Sequence, residues 1–220
     1  MASSLSFQDG PHEAAYGHVT GRSTFVDDRP RMQGELQVVV LLSPTARGQI
    51  RSLHAASALA VPGVVGVYTS KDLVHNRWGS IVVDQPLLAE KEVHYAGEPI
   101  AVIAAESLEA AYQARDLLKL NIETQEAVLD LDQAIQSQSH LGPKATIATG
   151  NCSQSWKEAD HVLEGVFYNG GQEQFYLESQ AAMTLPDEAY GIRVLASAQH
   201  PTEVQHVVAE ALGLQQHQVV

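Results

Sequence analysis

Ile100-Ala-Val-Ile-Ala-Ala-Glu-Ser-Leu-Glu-Ala-Ala-Tyr-Gln-Ala-Arg-Asp-Leu-Leu-Lys-Leu-Asn-Ile122 carries two periodicities back to back. Ile100 to Ala105 is an apolar run of strand length, entered through the turn Gly97-Glu-Pro99. Ser107 stands where its hydroxyl can accept from a first-turn N–H, which marks a helix start. Ala110, Ala114, Leu117 and Leu118 then recur at i, i+4, i+7 and i+8, giving that helix one apolar face. Leu120 to Thr124 alternates as a half-buried strand. Strand, helix and strand within about 25 residues read as a βαβ unit or as a short two-layer α+β domain.

Working back from this unit, Leu36 to Leu42 is an almost unbroken apolar run between Gly34 and Ser43-Pro44, the pattern of a strand buried on both faces. Ile50 to His54 and Val64 to Thr69 read as further strands, separated by a short Ala-rich helix at Ala55 to Ala60 that Pro62-Gly63 closes. Val74 to Glu90 has few periodic cues and reads as a long loop with one short strand, Ser80 to Val83. His18 to Asp28 mixes β-formers with a glycine and predicts a strand ending in the turn Asp27-Asp28-Arg-Pro30. Met1 to Tyr16 is small and polar, a flexible leader ordered only if something holds it.

Forward of the unit, residues 125–144 are rich in Gln, Ser, Asp, Gly and Pro, as in a linker, broken by a short helix at Leu131 to Gln136. A second domain is expected from Ala145. It starts with a helix at Cys152 to Ala159 and continues with strands at Val162 to Tyr168, Ala181 to Leu185 and Ile192 to Ala196. Pro201 to Leu212 reads as its closing helix, with Pro201 in the first turn, an apolar face of Val204, Val207, Val208 and Ala211, and Gly213 as C-cap.

Composition removes several function classes. The 220 residues carry 13 Lys+Arg against 26 Asp+Glu, a net charge of −13. Scattered cations on an acidic chain do not make a nucleic-acid surface. The longest apolar runs fall far short of the roughly 20 residues of a membrane helix, and the N-terminus lacks a signal-peptide pattern, so the chain reads as soluble and cytoplasmic. A single cysteine, Cys152, excludes a disulfide framework, a four-Cys zinc site and an iron–sulfur cluster held by this chain alone.

The chemistry-bearing residue types are dispersed. None of the ten histidines falls in a metal-ligand motif, and His200 and His206, six apart, fall on opposite sides of a helix. There is no Gly-x-Gly-x-x-Gly, no phosphate-loop Gly-Lys-Ser/Thr and no Gly-x-Ser-x-Gly elbow. Asp27-Asp28 and Glu173/Glu178 are paired carboxylates, the first of them placed in a turn where local backbone bonds claim it. Gly170-Gly-Gln-Glu-Gln-Phe-Tyr-Leu-Glu-Ser-Gln180 is the most unusual stretch, with carboxamides and aromatics interleaved without amphipathic period. Carboxamides suit a site that needs donor and acceptor without charge, although polar surface loops are commoner.

That block resembles the Gly-Gln-Glu-His-Phe-Tyr-Leu-Glu-Thr motif of the large molybdenum-binding chain of the xanthine dehydrogenase and aldehyde oxidase family. Ala196-Ser-Ala-Gln199 is similar to the family's Ser-Thr-Gln segment and follows at its spacing. Upstream, Gly17-His-Val-Thr-Gly-Arg-Ser-Thr-Phe-Val-Asp-Asp28, Ser43-Pro-Thr-Ala-Arg-Gly48, Val61-Pro-Gly-Val64 and Val93-His-Tyr-Ala-Gly-Glu-Pro-Ile-Ala-Val102 resemble its α/β hammerhead domain in the same order. The form of the first block resembles bacterial xanthine dehydrogenase large subunits most.

The resemblance implies an α+β chain: a hammerhead domain over residues 17–124, a linker over 125–144, and the N-terminal part of the first molybdenum-cofactor-binding domain over 145–220. It implies a molybdenum–molybdopterin cofactor in the complete enzyme, and iron–sulfur clusters and FAD on partner chains or regions. The substrate class it implies is a purine, with an aldehyde as the alternative; a docking module for electron-transfer chains is the non-catalytic alternative. The one residue carried over to a cofactor-proximal position is Gln199, whose amide the family places beside the molybdenum oxo group. Gln174 stands where the family commonly has His. The family's Gly-rich segment, substrate-binding arginine and aromatics, and catalytic glutamate match no residue here, so the implied catalytic set within this chain is empty and the chain alone is expected to be inactive.

Overall fold

In a computed structural model of the chain, residues 12–174, 180–187 and 191–220 are described. The chain divides into two compact units, Met1–Gln125 with Leu177–Val220, and Glu126–Tyr176.

The first unit is built on two three-stranded sheets and a smaller strand pair. Its elements are α1 (Ala15–Thr20), β1 (Gln37–Leu42), β2 (Gly48–His54), α2 (Ala56–Leu59), β3 (Val64–Thr69), β4 (Glu92–Val93), β5 (Pro99–Ala105), α3 (Leu108–Leu117) and β6 (Lys119–Thr124). One sheet has the order β1-β5-β3 and the other β4-β2-β6, with all pairings antiparallel. Strands β5 and β6 flank α3 yet lie in different sheets. The decisive stretch is therefore the α+β alternative, not a βαβ crossover.

Ser107 caps α3 as its position implies, its Oγ accepting from the Ala110 amide at 3.2 Å. The face of α3 that meets the sheet is small: Ala110, Ala111 and Ala114 are buried, and they pack with Val39, Ile103 and Ala105 and with Ala58 and Val61 around α2. Alanines let the helix axis approach the strands closely, which brings Ile103 at the middle of β5 to zero exposure. A second cluster, Ala89, Val93 and Ile100, is closed by Ile50, Leu53, Leu120 and Ile122 from the other sheet.

Three expectations in this unit are corrected. His18 to Asp28 is not a strand: α1 ends at Gly21, whose left-handed φ of 68° lets its N–H reach the Gly17 and His18 carbonyls, and a 3-10 turn follows at Val26–Asp28. Local capping, helped by the Thr20 hydroxyl on the Tyr16 carbonyl at 2.6 Å, outweighs β propensity there. Ser80 to Val83 is the tip between the bridged residues Trp78 and Gln85, with no ladder of its own. Strand β1 is covered on one face only, since Val39 is buried whereas Val38, Val40 and Leu42 are exposed.

The long segment before β4 is held by polar groups. The Asn76 amide donates to the Leu88 carbonyl at 2.8 Å and to Glu90 Oε1 at 2.9 Å, and its Oδ1 accepts from the Leu88 N–H at 2.9 Å. Arg77 makes a two-pronged pair with Glu90, at 2.7 and 3.0 Å. The Arg77 guanidinium, and next the Asn76 amide, hold the Glu90 carboxyl below its ordinary range. Because Leu88 is buried, Asn76→Ala strands both its backbone groups; urea unfolding should show a loss of about 2 kcal/mol. A loss below about 0.5 kcal/mol would mean that water replaces the amide.

The remaining elements of this unit are β7 (Ala182–Pro186), β8 (Ile192–Ala196) and α6 (Pro201–Leu212), with β7 and β8 antiparallel. Residues 188–190, between β7 and β8, lie outside the described residues. Val74 donates its N–H to the Ala211 carbonyl at 2.9 Å and Ser80 Oγ donates to Glu203 Oε1 at 2.9 Å, so the 74–85 segment lies along α6.

The second unit holds α4 (Leu131–Gln136) and α5 (Cys152–Glu158), capped by Asp130 and Asn151. Val162 to Tyr168, expected as a strand, has no regular secondary structure; Leu163, Phe167 and Tyr168 are almost fully exposed. A strand needs a neighbour for its N–H and C=O groups, and no described residue pairs with this one.

Candidate functional site

The connection Ala196-Ser-Ala-Gln-His200 leaves β8 and enters α6. After α6 the chain turns through Gln216–Gln218 and returns beside β8 in parallel, Val220 donating its N–H to the Ile192 carbonyl at 2.9 Å and accepting from Val194 at 2.7 Å. Strand, helix and a short returning segment are thus joined by one isolated parallel bridge, Ile192 to Val219.

Two residues of the connection anchor it. Ser197 is tied to Ala181 twice, by backbone at 2.9 Å and by its Oγ, which accepts from the Ala181 N–H at 2.8 Å. His200 caps α6, its Nδ1 accepting from the Glu203 N–H at 3.2 Å, and Pro201 occupies the first turn, where a missing N–H costs nothing. Gln199 sits between these two anchors, exposed, with a carboxamide that makes no hydrogen bond to the described residues. An anchored backbone carrying an uncommitted neutral donor and acceptor suits contact with a polar, oxygen-bearing group.

The space around the connection is shallow. An apolar recess of about 110 Å³ lies between β8, Val204 and Val219, well below the several hundred Å³ of a cofactor pocket. An open groove of about 340 Å³ runs past Ala181, Ser197 and Ala198.

Other chemistry-bearing residues are engaged elsewhere. Asp28 Oδ2 accepts from the Phe25 N–H at 2.9 Å, the local backbone role read from the turn. His206 faces Glu210 along α6 at 3.2 Å. Cys152 is exposed at the start of α5. Among the described residues, no three His, Cys, Asp or Glu side chains stand where they can hold a metal ion, and no helix is long and apolar enough to cross a membrane. Residues 175–179 of the Gly170–Gln180 block, Glu178 among them, lie outside the described residues; Gln174 is exposed and without regular structure. Sequence reasoning missed Ser197 and His200: a serine and a capping histidine three residues ahead of a glutamate were visible, but nothing local shows that they bracket an exposed amide with no hydrogen bond to the described residues.

Two sequence families match the chain in succession. Residues 20–126 match "Aldehyde oxidase and xanthine dehydrogenase, a/b hammerhead domain", and residues 135–220 match "Molybdopterin cofactor-binding domain". The chain belongs to the xanthine dehydrogenase and aldehyde oxidase family. Xanthine dehydrogenase of Emericella nidulans is 35% identical over 215 residues, which is 96% of this chain and 16% of that protein. Aldehyde oxidase 4 of Cavia porcellus is 35% identical over 212 residues, 94% of this chain and 15% of that protein. The chain thus spans about one-sixth of the length of such relatives. The fold agrees with an aldehyde oxidoreductase from Desulfovibrio gigas, with a TM-score of 0.82 at 22% identity over 95% of this chain and 25% of that one. Quinoline 2-oxidoreductase from Pseudomonas putida 86 gives 0.81 at 24% identity, over 96% of this chain and 29% of that one. The α+β reading, a hammerhead followed by the start of the molybdenum-cofactor-binding domain, stands.

Proposed function

We propose that this chain is the N-terminal part of a cytoplasmic molybdenum hydroxylase subunit, with a hammerhead over residues 17–124, a linker over 125–144 and the opening of the cofactor-binding domain over 145–220. The observation that carries the reading is the succession of the two family matches, in order, on one chain. In the complete enzyme the reaction is hydroxylation of a purine, hypoxanthine or xanthine, with oxygen from water and electrons leaving to iron–sulfur clusters and FAD on partner chains. The molybdenum–molybdopterin group supplies the two-electron redox chemistry when bound. Gln199 would be the residue of this chain that meets the group, its Nε2 offering a neutral donor, while Ser197 and His200 hold the backbone on either side of it. A fixed neutral dipole of this kind needs no reorganisation as charge shifts nearby.

No residue here matches the family's general base or substrate clamp, so the chain by itself does not turn over substrate. The test is to assay hypoxanthine, xanthine and an aldehyde, with molybdenum analysis, on the purified chain and on the assembly recovered with it from its own cells. The expected result is purine oxidation by the molybdenum-bearing assembly and none by the chain. Turnover by the chain alone would sink the reading, and turnover of aldehyde without purine would move the substrate to the alternative class.

A further inference from the structure

The sheet β1-β5-β3 has one finished face and one unfinished face. Its inner face carries Val39, Leu41, Ile103, Ala105, Val64 and Val67, which the helices cover. The register places Val38 opposite Ala104 and Val40 opposite Val102, and Tyr68 opposite Val102 from the other side. Together with Leu42, these residues form an outer face without a charged side chain. Val38 is 57%, Leu42 49%, Tyr68 44% and Val40 37% exposed. An antiparallel sheet with one solvated face normally alternates apolar and polar residues along each strand, and β1 does not.

Two details show a surface shaped for a cover. The Tyr68 ring lies over Gly66, where an added Cβ would stand 2.7 Å from ring atoms, so the aromatic lies low and the face stays flat. Its hydroxyl makes no hydrogen bond to the described residues, although a phenol entering an apolar layer needs a partner.

We propose that this outer face is a docking surface for the part of the molybdenum subunit that lies outside this chain, which presents to it an apolar layer with one polar group for the Tyr68 hydroxyl. The inference rests on the function proposed above. Its occupant follows from length and area. The relatives that align with nearly all of this chain are about six times longer, so most of the polypeptide able to cover the face is absent here. Three strands about 4.8 Å apart and five residues of about 3.4 Å rise span roughly 250 Å². A freestanding partner needs about 800 Å² per side, so a second copy seated on this face alone is too weakly held. A cover belonging to a larger assembly, held by other contacts as well, meets no such limit.

The test uses the tagged chain recovered from its own cells as wild type, Val38→Lys, Val40→Lys and, on the exposed outer side of the other sheet, Asn121→Lys. Co-purifying polypeptides are identified by mass spectrometry and their molybdenum is measured; circular dichroism and thermal unfolding follow each variant. Val38 and Val40 are solvent-facing, so both variants should fold as wild type does. The expected result is a molybdenum-bearing polypeptide held equally by wild type and Asn121→Lys and reduced about tenfold or more by either lysine on the apolar face, because an unpaired ammonium cannot enter that layer. Wild-type recovery with both Val38→Lys and Val40→Lys overturns the docking surface and leaves the proposed function intact. A wild-type chain that brings down no molybdenum-bearing polypeptide overturns both. A wild-type dimer that Val38→Lys converts to monomer assigns the face to a second copy and overturns the proposal.

Discussion

Ile103→Ala is expected to lower the unfolding free energy by about 3 to 4 kcal/mol, the middle of the range for buried aliphatic truncations. Ile103 has no exposed surface, lies in the central strand of its sheet, and pairs with Val39 on one side and Val67 on the other. The helix above it contributes Ala110, Ala111 and Ala114, side chains too short to swing into the vacated volume. The space left by three carbons thus persists as a cavity, which adds to the lost transfer energy. For a chain of this size the loss corresponds to a fall in Tm of about 10 °C. Val40→Ala, in the adjacent strand but pointing out of the opposite face, removes a similar apolar group and should cost less than about 1 kcal/mol in the isolated chain. Denaturation of the two variants side by side checks the assignment of faces; equal losses would show that the covered side of the sheet has been misread.

The same pair of residues shows how far the fold was legible in the sequence. Strand position and length were plain along β1, β2, β3, β5 and β6, because apolar runs of strand length between turn residues have few alternatives. The helices α3 and α6 were equally plain, since Ser107 and Gly213 mark their ends and the 3.6 period fills the space between. Sheet membership was not legible. Ile100–Ala105 and Leu120–Thr124 look like partners, yet β5 joins β1 and β3 while β6 joins β2 and β4. Pairing is decided by contacts distant in sequence, and no local period records them. The almost unbroken apolar run Leu36–Leu42 reads as a strand buried on both faces, and the chain covers one. Composition responds to everything a strand touches in its working state, including surfaces contributed from outside the chain.

The candidate site was legible only through resemblance. Periodicity alone leaves Gln199 as a residue between a strand and a helix. What gives it significance is geometry: a parallel return of the chain beside β8, a Ser197 bond to a neighbouring strand, and a His200 cap that fixes where α6 begins. The histidine illustrates the difficulty. As one of ten it carried no signal, and its task is backbone chemistry on Glu203, invisible without knowing the helix start.

On the proposed function, Gln199→Ala in the complete enzyme should lower kcat by about 10²- to 10³-fold, the cost of deleting one preorganised donor aimed at a charged or oxo-bearing centre. Its carboxamide makes no hydrogen bond to the described residues, whereas Ser197 serves Ala181 and His200 Nδ1 serves the helix start. Removing it therefore leaves the backbone anchors untouched, and Tm and molybdenum content should match wild type. Ser197→Ala is the informative contrast, because it withdraws the acceptor from the Ala181 N–H and lets the connection shift. That variant should lose thermal stability together with activity, whereas Gln199→Ala should separate the two. A Gln199→Ala enzyme with full molybdenum and kcat within threefold of wild type would remove Gln199 from the cofactor's surroundings and leave the connection as a turn that starts a helix.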